Sequence, residues 1–193
     1  MFEYIKGKNV ESTPTYIVIE NSGIAYVINV SLNTYTEVRG REECQLYIHQ
    51  VIREDAHQLF GFATKPEREL FRMLISVSGV GANTARVMLS SLKPAELQEA
   101  IMEGNVNTLK SIKGIGAKSA ERIIVDLRDK IGRGEKLEQI VSHQDNTIKE
   151  EALSALVMLG FHKGMAQKAV NKLYAEEDNL SVEDMVKKAL KML

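Results

Sequence analysis

Apolar and polar residues alternate with a period near two up to about residue 62, and the period then lengthens to about 3.6. Within the first stretch, TYIVIE (15–20), the turn cluster NSG (21–23) and IAYVINV (24–30) form a hairpin signature. CQLYIHQVI (44–52) and HQLFGF (57–62) make a second pair around the short link RED. Five or so short strands in about sixty residues suit a small OB-type barrel, a fold that often binds nucleic acid but serves protein interaction as readily.

From residue 63 the pattern is helical. Thr64 with Glu67 three residues on reads as a capping box, with Pro66 tolerated in the first turn. Leu70, Phe71, Leu74, Ile75 and Val77 supply the apolar stripe. A glycine turn at Gly79–Gly81 leads into a helix from about Asn83 to Leu92. Pro94 opens another helix that Gly104 ends, and a second glycine turn, Gly114–Gly116, precedes a long helix with Ile123, Ile124, Leu127 and Ile131 facing inward. Arg122, Asp126 and Lys130 stand four apart on that helix and are spaced to pair weakly. Residues 132–146, polar with glycines near the start, read as a flexible linker with a helical turn around Leu137–Val141. The final segment, 147–193, predicts three helices near 148–159, 164–175 and 182–192, with capping boxes at Thr147/Glu150 and Ser181/Asp184. Its turn Leu159-Gly160-Phe161 resembles ubiquitin-associated (UBA) three-helix domains. So small a core leaves apolar surface outside, which suits a partner-docking module. The fold class expected is a multidomain α+β chain: barrel (1–62), all-α tandem hairpins (63–131), linker (132–146) and UBA-like three-helix domain (147–193).

The two glycine turns belong to an internal repeat. Leu74–Leu89, LISVSGVGANTARVML, returns at Leu109–Ile124 as LKSIKGIGAKSAERII. Val80 corresponds to Ile115, Asn83 to Lys118 and Thr84 to Ser119. A G-hydrophobic-G triplet between amphipathic stretches can be a tight helix-helix turn and nothing more. It can also be an anion site: the first glycine ends a helix left-handed, the second admits close approach, and the next helix offers free N–H groups and its positive dipole end. A single copy would be weak support. Two copies, with Asn83, Thr84, Lys118 and Ser119 at the helix starts and Arg122 one turn later, favour phosphate contact, and the Lys118 copy carries the charge.

Charge supports that division only when the chain is split. The net charge is −1, which taken whole argues against a nucleic-acid partner. Residues 1–62 carry 5 Lys+Arg against 8 Asp+Glu, residues 63–131 carry 11 against 8, and residues 132–193 carry 9 against 10. The positive excess therefore sits on the repeat. One cysteine, Cys44, excludes an internal disulfide and a four-cysteine metal site. No signal-peptide or membrane-span pattern is present, so a cytoplasmic protein is expected. His49, His57, His143 and His162 have no metal-ligand spacing, and no GxxxxGK[ST] loop occurs, so neither a metal nor a cofactor is expected and an ATP motor is excluded. Glu54 and Asp55 sit at the tip of the second strand pair. They read as ordinary turn residues, as part of a metal site lacking further ligands, or as two negative charges that would repel phosphates.

Both repeats resemble helix-hairpin-helix motifs, which grip backbone phosphates without reading bases. The order of modules, with VIREDAHQLFGF, GVGANTA, GIGAKSAER and ALVMLGF, resembles the RuvA family along the whole chain. That family supplies the junction-binding subunit of a bacterial branch-migration machine. The resemblance implies a homotetramer that holds a four-way (Holliday) junction open and flat, as one tetramer or two face to face. It implies phosphate contacts by Gly79, Val80, Gly81, Asn83, Thr84, Gly114, Ile115, Gly116, Lys118, Ser119 and Arg122, independent of base sequence. Glu54 and Asp55 become an acidic pin in the crossover. The third domain recruits RuvB, a hexameric ATPase, through apolar positions here matched by Leu156, Leu159, Leu173 and Leu190, which periodicity alone would equally assign to the core. A resolvase of the RuvC type is a further implied partner. The chain departs from the family at Asn83, where relatives often carry lysine. Two other classes compete: a DNA glycosylase, for which Asp126 would be the acid, and a protein scaffold whose glycine hairpins are only turns.

Overall fold

Strand alternation closes into a barrel because each strand has one apolar face to bury. In the computed structural model, which describes residues 2–140, 144–176 and 180–193, the strands are β1 (Tyr4–Ser12), β2 (Tyr16–Asn21), β3 (Ile24–Val30), β4 (Glu43–Arg53) and β5 (Ala56–Phe62). Their order around the barrel is β1-β2-β3-β5-β4. All pairs are antiparallel except β3 with β5. Ile17, Ile19, Ile28, Leu46 and Ile48 fill the interior, fully buried. Gly61 lets β3 and β4 close over β5, since a Cβ there would lie 2.5 Å from the Ile28 Cγ2 methyl.

One element escaped the pattern: α1 (Leu32–Val38), between β3 and β4. Seven residues are too few to establish a 3.6-residue period, and Thr34, Thr36 and Val38 are β-branched. Its only local signal is Ser31, whose hydroxyl accepts from the Thr34 N–H at 3.0 Å as a helix cap.

The helical layer comprises α2 (Lys65–Ile75), α3 (Ala82–Ser91), α4 (Pro94–Met102), α5 (Val106–Lys110) and α6 (Ala117–Ile140). Phe60 and Phe62 of β5 pack around Phe71 of α2, with ring centroids 5.3 and 4.8 Å away. The same apolar cluster continues through Leu70, Leu74, Met88, Leu97, Ile123 and Leu127. The boundary between the two cores therefore does not fall at the change of period near residue 63: Phe60 and Phe62 of β5 join the helical cluster, while Ile17, Ile19, Ile28, Leu46 and Ile48 form a separate one inside the barrel. Barrel and hairpin helices share the compact unit Met1–Gly132, and Arg133–Leu193 is the second unit.

Glu67 departs from its expected role. Thr64 caps α2 by accepting from the Glu67 N–H at 3.3 Å, but the carboxylate does not complete the box. It is buried against the barrel, accepting from Ser31 Oγ at 2.6 Å and Thr34 Oγ1 at 2.7 Å. Burial pushes its pKa above the ordinary 4.5, and the two hydroxyls offset part of that rise. A carboxyl whose folded pKa exceeds its unfolded value contributes stability that is complete below about pH 4.5 and is lost as pH rises through the folded value. Glu67→Gln is therefore expected to gain in thermal midpoint relative to the wild type as pH moves from 4.5 toward neutrality. Glu67→Ala, which strands two buried hydroxyls, should cost about 2 kcal/mol. A wild-type-minus-Gln difference that does not vary with pH contradicts this reading.

The second unit contains α7 (Gln144–Met158), α8 (Lys163–Glu176) and α9 (Val182–Leu190). Ser181 caps α9 as expected, accepting from the Asp184 N–H at 3.1 Å. Two sequence readings are corrected. The break expected at Gly132 is absent, because α6 continues to Ile140; a helical glycine costs only about 1 kcal/mol against alanine, which Gly132 and Gly134 do not raise enough to stop the helix. Thr147 lies within α7 and so is not its cap. Val141, in the expected helical turn, and His143 fall outside the described residues.

Candidate nucleic-acid interface

The repeat in sequence is a repeat in geometry. In the first copy the Val77 N–H donates to Leu74 O (3.1 Å) and the Val80 N–H to Val77 O (3.0 Å); in the second, Ile112 donates to Leu109 O (3.2 Å) and Ile115 to Ile112 O (3.1 Å). Gly79 and Gly114 hold φ +91° and +92°, the left-handed region that costs other residues about 1–2 kcal/mol. Val80 and Ile115 are buried in the helical core. Their side chains therefore anchor the turns, and only their backbone is left to meet a phosphate.

Gly81 then serves as the N-cap of α3. The first helical bonds are Ala85 N–H to Gly81 O and Ala120 N–H to Gly116 O, both 2.9 Å. The N–H groups of Ala82, Asn83 and Thr84, and of Ala117, Lys118 and Ser119, precede those bonds and so lack a helical acceptor. A glycine cap offers no side chain to cover them. Each turn thus presents a set of free donors at the positive end of a helix.

The second glycine of each turn carries a further signal. Gly81 sits at φ −84°, ψ 167°, which any residue adopts. Gly116 is likewise outside the left-handed region. A Cβ at either position would meet nothing within 4 Å. Neither backbone conformation nor internal packing requires glycine there, and the space beside each backbone is open to close approach from outside the chain.

Around these turns Asn83 and Lys118 are exposed at equivalent positions, with Thr84 and Ser119 half-buried. Arg122 is exposed and reaches across the repeat: its Nη1 donates to Ser78 O at 3.3 Å, joining the second helix to the first turn. That bond takes the place of the weak pairing expected with Asp126. Lys110 and Lys113, exposed just before Gly114, were missed by sequence reasoning; aligning the repeats, which sets Lys113 against Ser78, would have found the second.

Glu54 and Asp55 form the two-residue turn between β4 and β5, beyond the last pair Arg53↔Ala56. Both are exposed, and so is Ile52, which at 70% exposure marks how far the hairpin stands clear of the barrel wall. Among the described residues no three His, Cys, Asp or Glu side chains gather as a metal site. His49 packs edge-on against Phe71, His57 pairs with Gln50, and His162 Nδ1 accepts from the Gly164 N–H.

In the second unit the four candidate contact leucines divide. Leu156 (0% exposed) and Leu173 (5%) belong to the buried cluster with Ala152, Val170 and Met185, which removes them from a docking surface. Three short helices need their few large side chains for the core, and these two occupy its centre. Leu159 (61%) and Leu190 (41%) are exposed, as are Met158 and Met165.

Residues 1–61 match the family described as the RuvA N-terminal domain, and residues 147–193 the RuvA C-terminal domain. Residues 71–129 match the SAM-like helix-hairpin-helix tandem. A relative from Christiangramia forsetii is 50% identical over 193 residues, all of both chains. The chain belongs to the RuvA family. RuvA relatives from Bacteroides fragilis (49% over 201 residues) and Porphyromonas gingivalis (50% over 202 residues) are likewise covered in full, as is this chain. All three carry the name Holliday junction branch migration complex subunit RuvA. Among the described residues no helix is long and apolar enough to cross a membrane.

Proposed function

We propose that this RuvA-family chain is a non-catalytic, cytoplasmic DNA-binding subunit that holds four-way junctions open and recruits a RuvB-type hexameric ATPase for branch migration. The observation that carries the reading is the pair of glycine turns whose free helix-start N–H groups and sterically open Gly81 and Gly116 fit two backbone phosphates. Gly79 and Gly114 shape the turns; the N–H groups of Asn83, Thr84, Lys118 and Ser119 meet phosphate oxygens, and Lys118 and Arg122 add charge. Val80 and Ile115 contribute backbone only. Contacts of this kind give grip without base sequence.

Junction preference comes from assembly. Four copies around a four-fold axis, singly or as two face-to-face rings, place one pair of clamps on each arm and gather the Glu54–Asp55 turns at the crossover, where their charge keeps separating strands apart. Leu159 and Leu190 belong to the surface that docks the motor, the stretch 132–146 links that module to the rest, and an opposite junction face left open admits a RuvC-type resolvase.

The test uses the intact chain with a synthetic junction, with and without a RuvB-type ATPase and ATP. Conversion of the junction only when both are present, with no strand cleavage or base release by the chain alone, is the expected result. Robust turnover by the chain alone contradicts it. Glu54→Gln with Asp55→Asn should leave junction binding equal or tighter while changing the rate of conversion, measured by gel shift and by conversion kinetics. Weaker binding would show that the turn is not repulsive.

A further inference from the structure

Arg86 lies on α3, one turn past the start of the first clamp helix, where an arginine reads as another phosphate ligand. Its side chain is turned the other way. Nη1 donates to Thr15 O at 3.0 Å and to Asn29 Oδ1 at 3.3 Å, both in the barrel. Asn29 passes the connection on, since its Nδ2 donates to Leu59 O at 3.2 Å. Leu59 belongs to β5, paired with Gln50 of β4, and these are the two strands that end in the Glu54–Asp55 turn. A second tie lies near the other end of α3: Asn33 Nδ2 donates to Leu89 O (2.6 Å) and Leu92 O (2.9 Å), and the Leu32 N–H donates to Ser90 Oγ (3.0 Å).

No carboxylate is among the Arg86 partners, and burial lowers its pKa. A partly buried guanidinium held by neutral oxygens is a poor device for stability, because the desolvation cost offsets much of what its hydrogen bonds return. It is a good device for register, because Nη1 of a rigid, planar group carries two N–H donors and meets two acceptors at once.

We propose that Arg86 is a positioning residue: through Asn29 and Leu59 it holds the first phosphate clamp in register with the strand pair that carries Glu54 and Asp55, and this register sets the preference for a junction over plain duplex. The inference rests on the junction-binding function proposed above. Duplex grip requires only the clamps; on a junction, a turn out of register carries its two carboxylates against the arm phosphates and repels them, so clamp and acidic turn must be correctly spaced within one subunit.

The experiment compares wild type, Arg86→Met and Asn29→Ala by titration with a four-way junction and with a linear duplex of the same arm sequence, at two salt concentrations. For Arg86→Met, duplex affinity and its salt slope should stay within about twofold of wild type while the junction-to-duplex ratio falls about tenfold, equivalent to about 1.4 kcal/mol. Asn29→Ala, which leaves Arg86 on Thr15 O, should shift the ratio in the same direction by less, and it carries the test if Arg86→Met fails to fold. An unchanged ratio in a folded variant overturns the proposal. A duplex affinity that falls together with a salt slope reduced by about one also overturns it, because Arg86 would then be touching a phosphate. A wild type without junction preference overturns the functional reading itself, and is told apart by appearing before any substitution is made.

Discussion

Gly116→Ala is expected to fold normally and to weaken DNA binding about tenfold, and Gly116→Val to weaken it further. The backbone there is open to any residue and the space beside it is empty, so the added methyl strains nothing inside the chain. In the proposed contact it would stand between a phosphate and the N–H groups of Ala117, Lys118 and Ser119. Losing a glycine cap for alanine costs helix stability of about 1 kcal/mol at most, visible in a melt but too small to unfold the unit. Gly114→Ala provides the contrast. At φ +92° its Cβ meets strain and no ligand, so that variant should lose about 1–2 kcal/mol of stability. Fluorescence anisotropy with linear duplex, beside thermal melts, separates the two. Normal affinity for Gly116→Val would mean the turn is only a turn.

The second large effect concerns the inequality of the clamps. Lys118→Ala should weaken binding to all DNA sequences alike and reduce the slope of log K against log salt by about 0.9, the share of one phosphate contact on duplex. Asn83→Lys should do the reverse, raising affinity and steepening the slope by a similar amount, because Asn83 is exposed at the equivalent position of the first clamp. Salt titrations of both variants measure this. If Asn83→Lys leaves the slope unchanged, the first turn does not face a phosphate.

Much of this was legible in the sequence, for reasons that vary with the residue. The strand pairs and the helix starts at Thr64 and Pro94 follow from alternation and capping, which are local properties. The left-handed turns at Gly79 and Gly114 follow from what glycine alone tolerates. The repeat exposed the paired turns because two copies share the constraint. What was not legible depends on contacts far apart in the chain. Glu67 reads as half of a local cap, yet its carboxylate is claimed by Ser31 and Thr34, 36 and 33 residues away. Arg122 reads as a cation beside a glycine turn, but its guanidinium bridges to Ser78, and Arg86 on the equivalent first helix is turned into the barrel. Leu156 and Leu159 stand three apart in the same apolar run, and which of them faces inward depends on where α7 ends and Gly160 turns the chain at φ +98°. Helix α1 was too short for its period to register. The run of α6 past Gly132 shows that a glycine lowers helix propensity without dictating an end.

The most direct measurement is competition for the intact chain between a four-way junction and a linear duplex of the same arm sequence, at matched phosphate concentration and physiological salt. Assembly of the paired clamps around the Glu54–Asp55 turns predicts that the junction displaces duplex from the protein while excess duplex fails to displace the junction. Equal displacement by the two DNAs would contradict it, leaving a phosphate clamp with no preference for the branch.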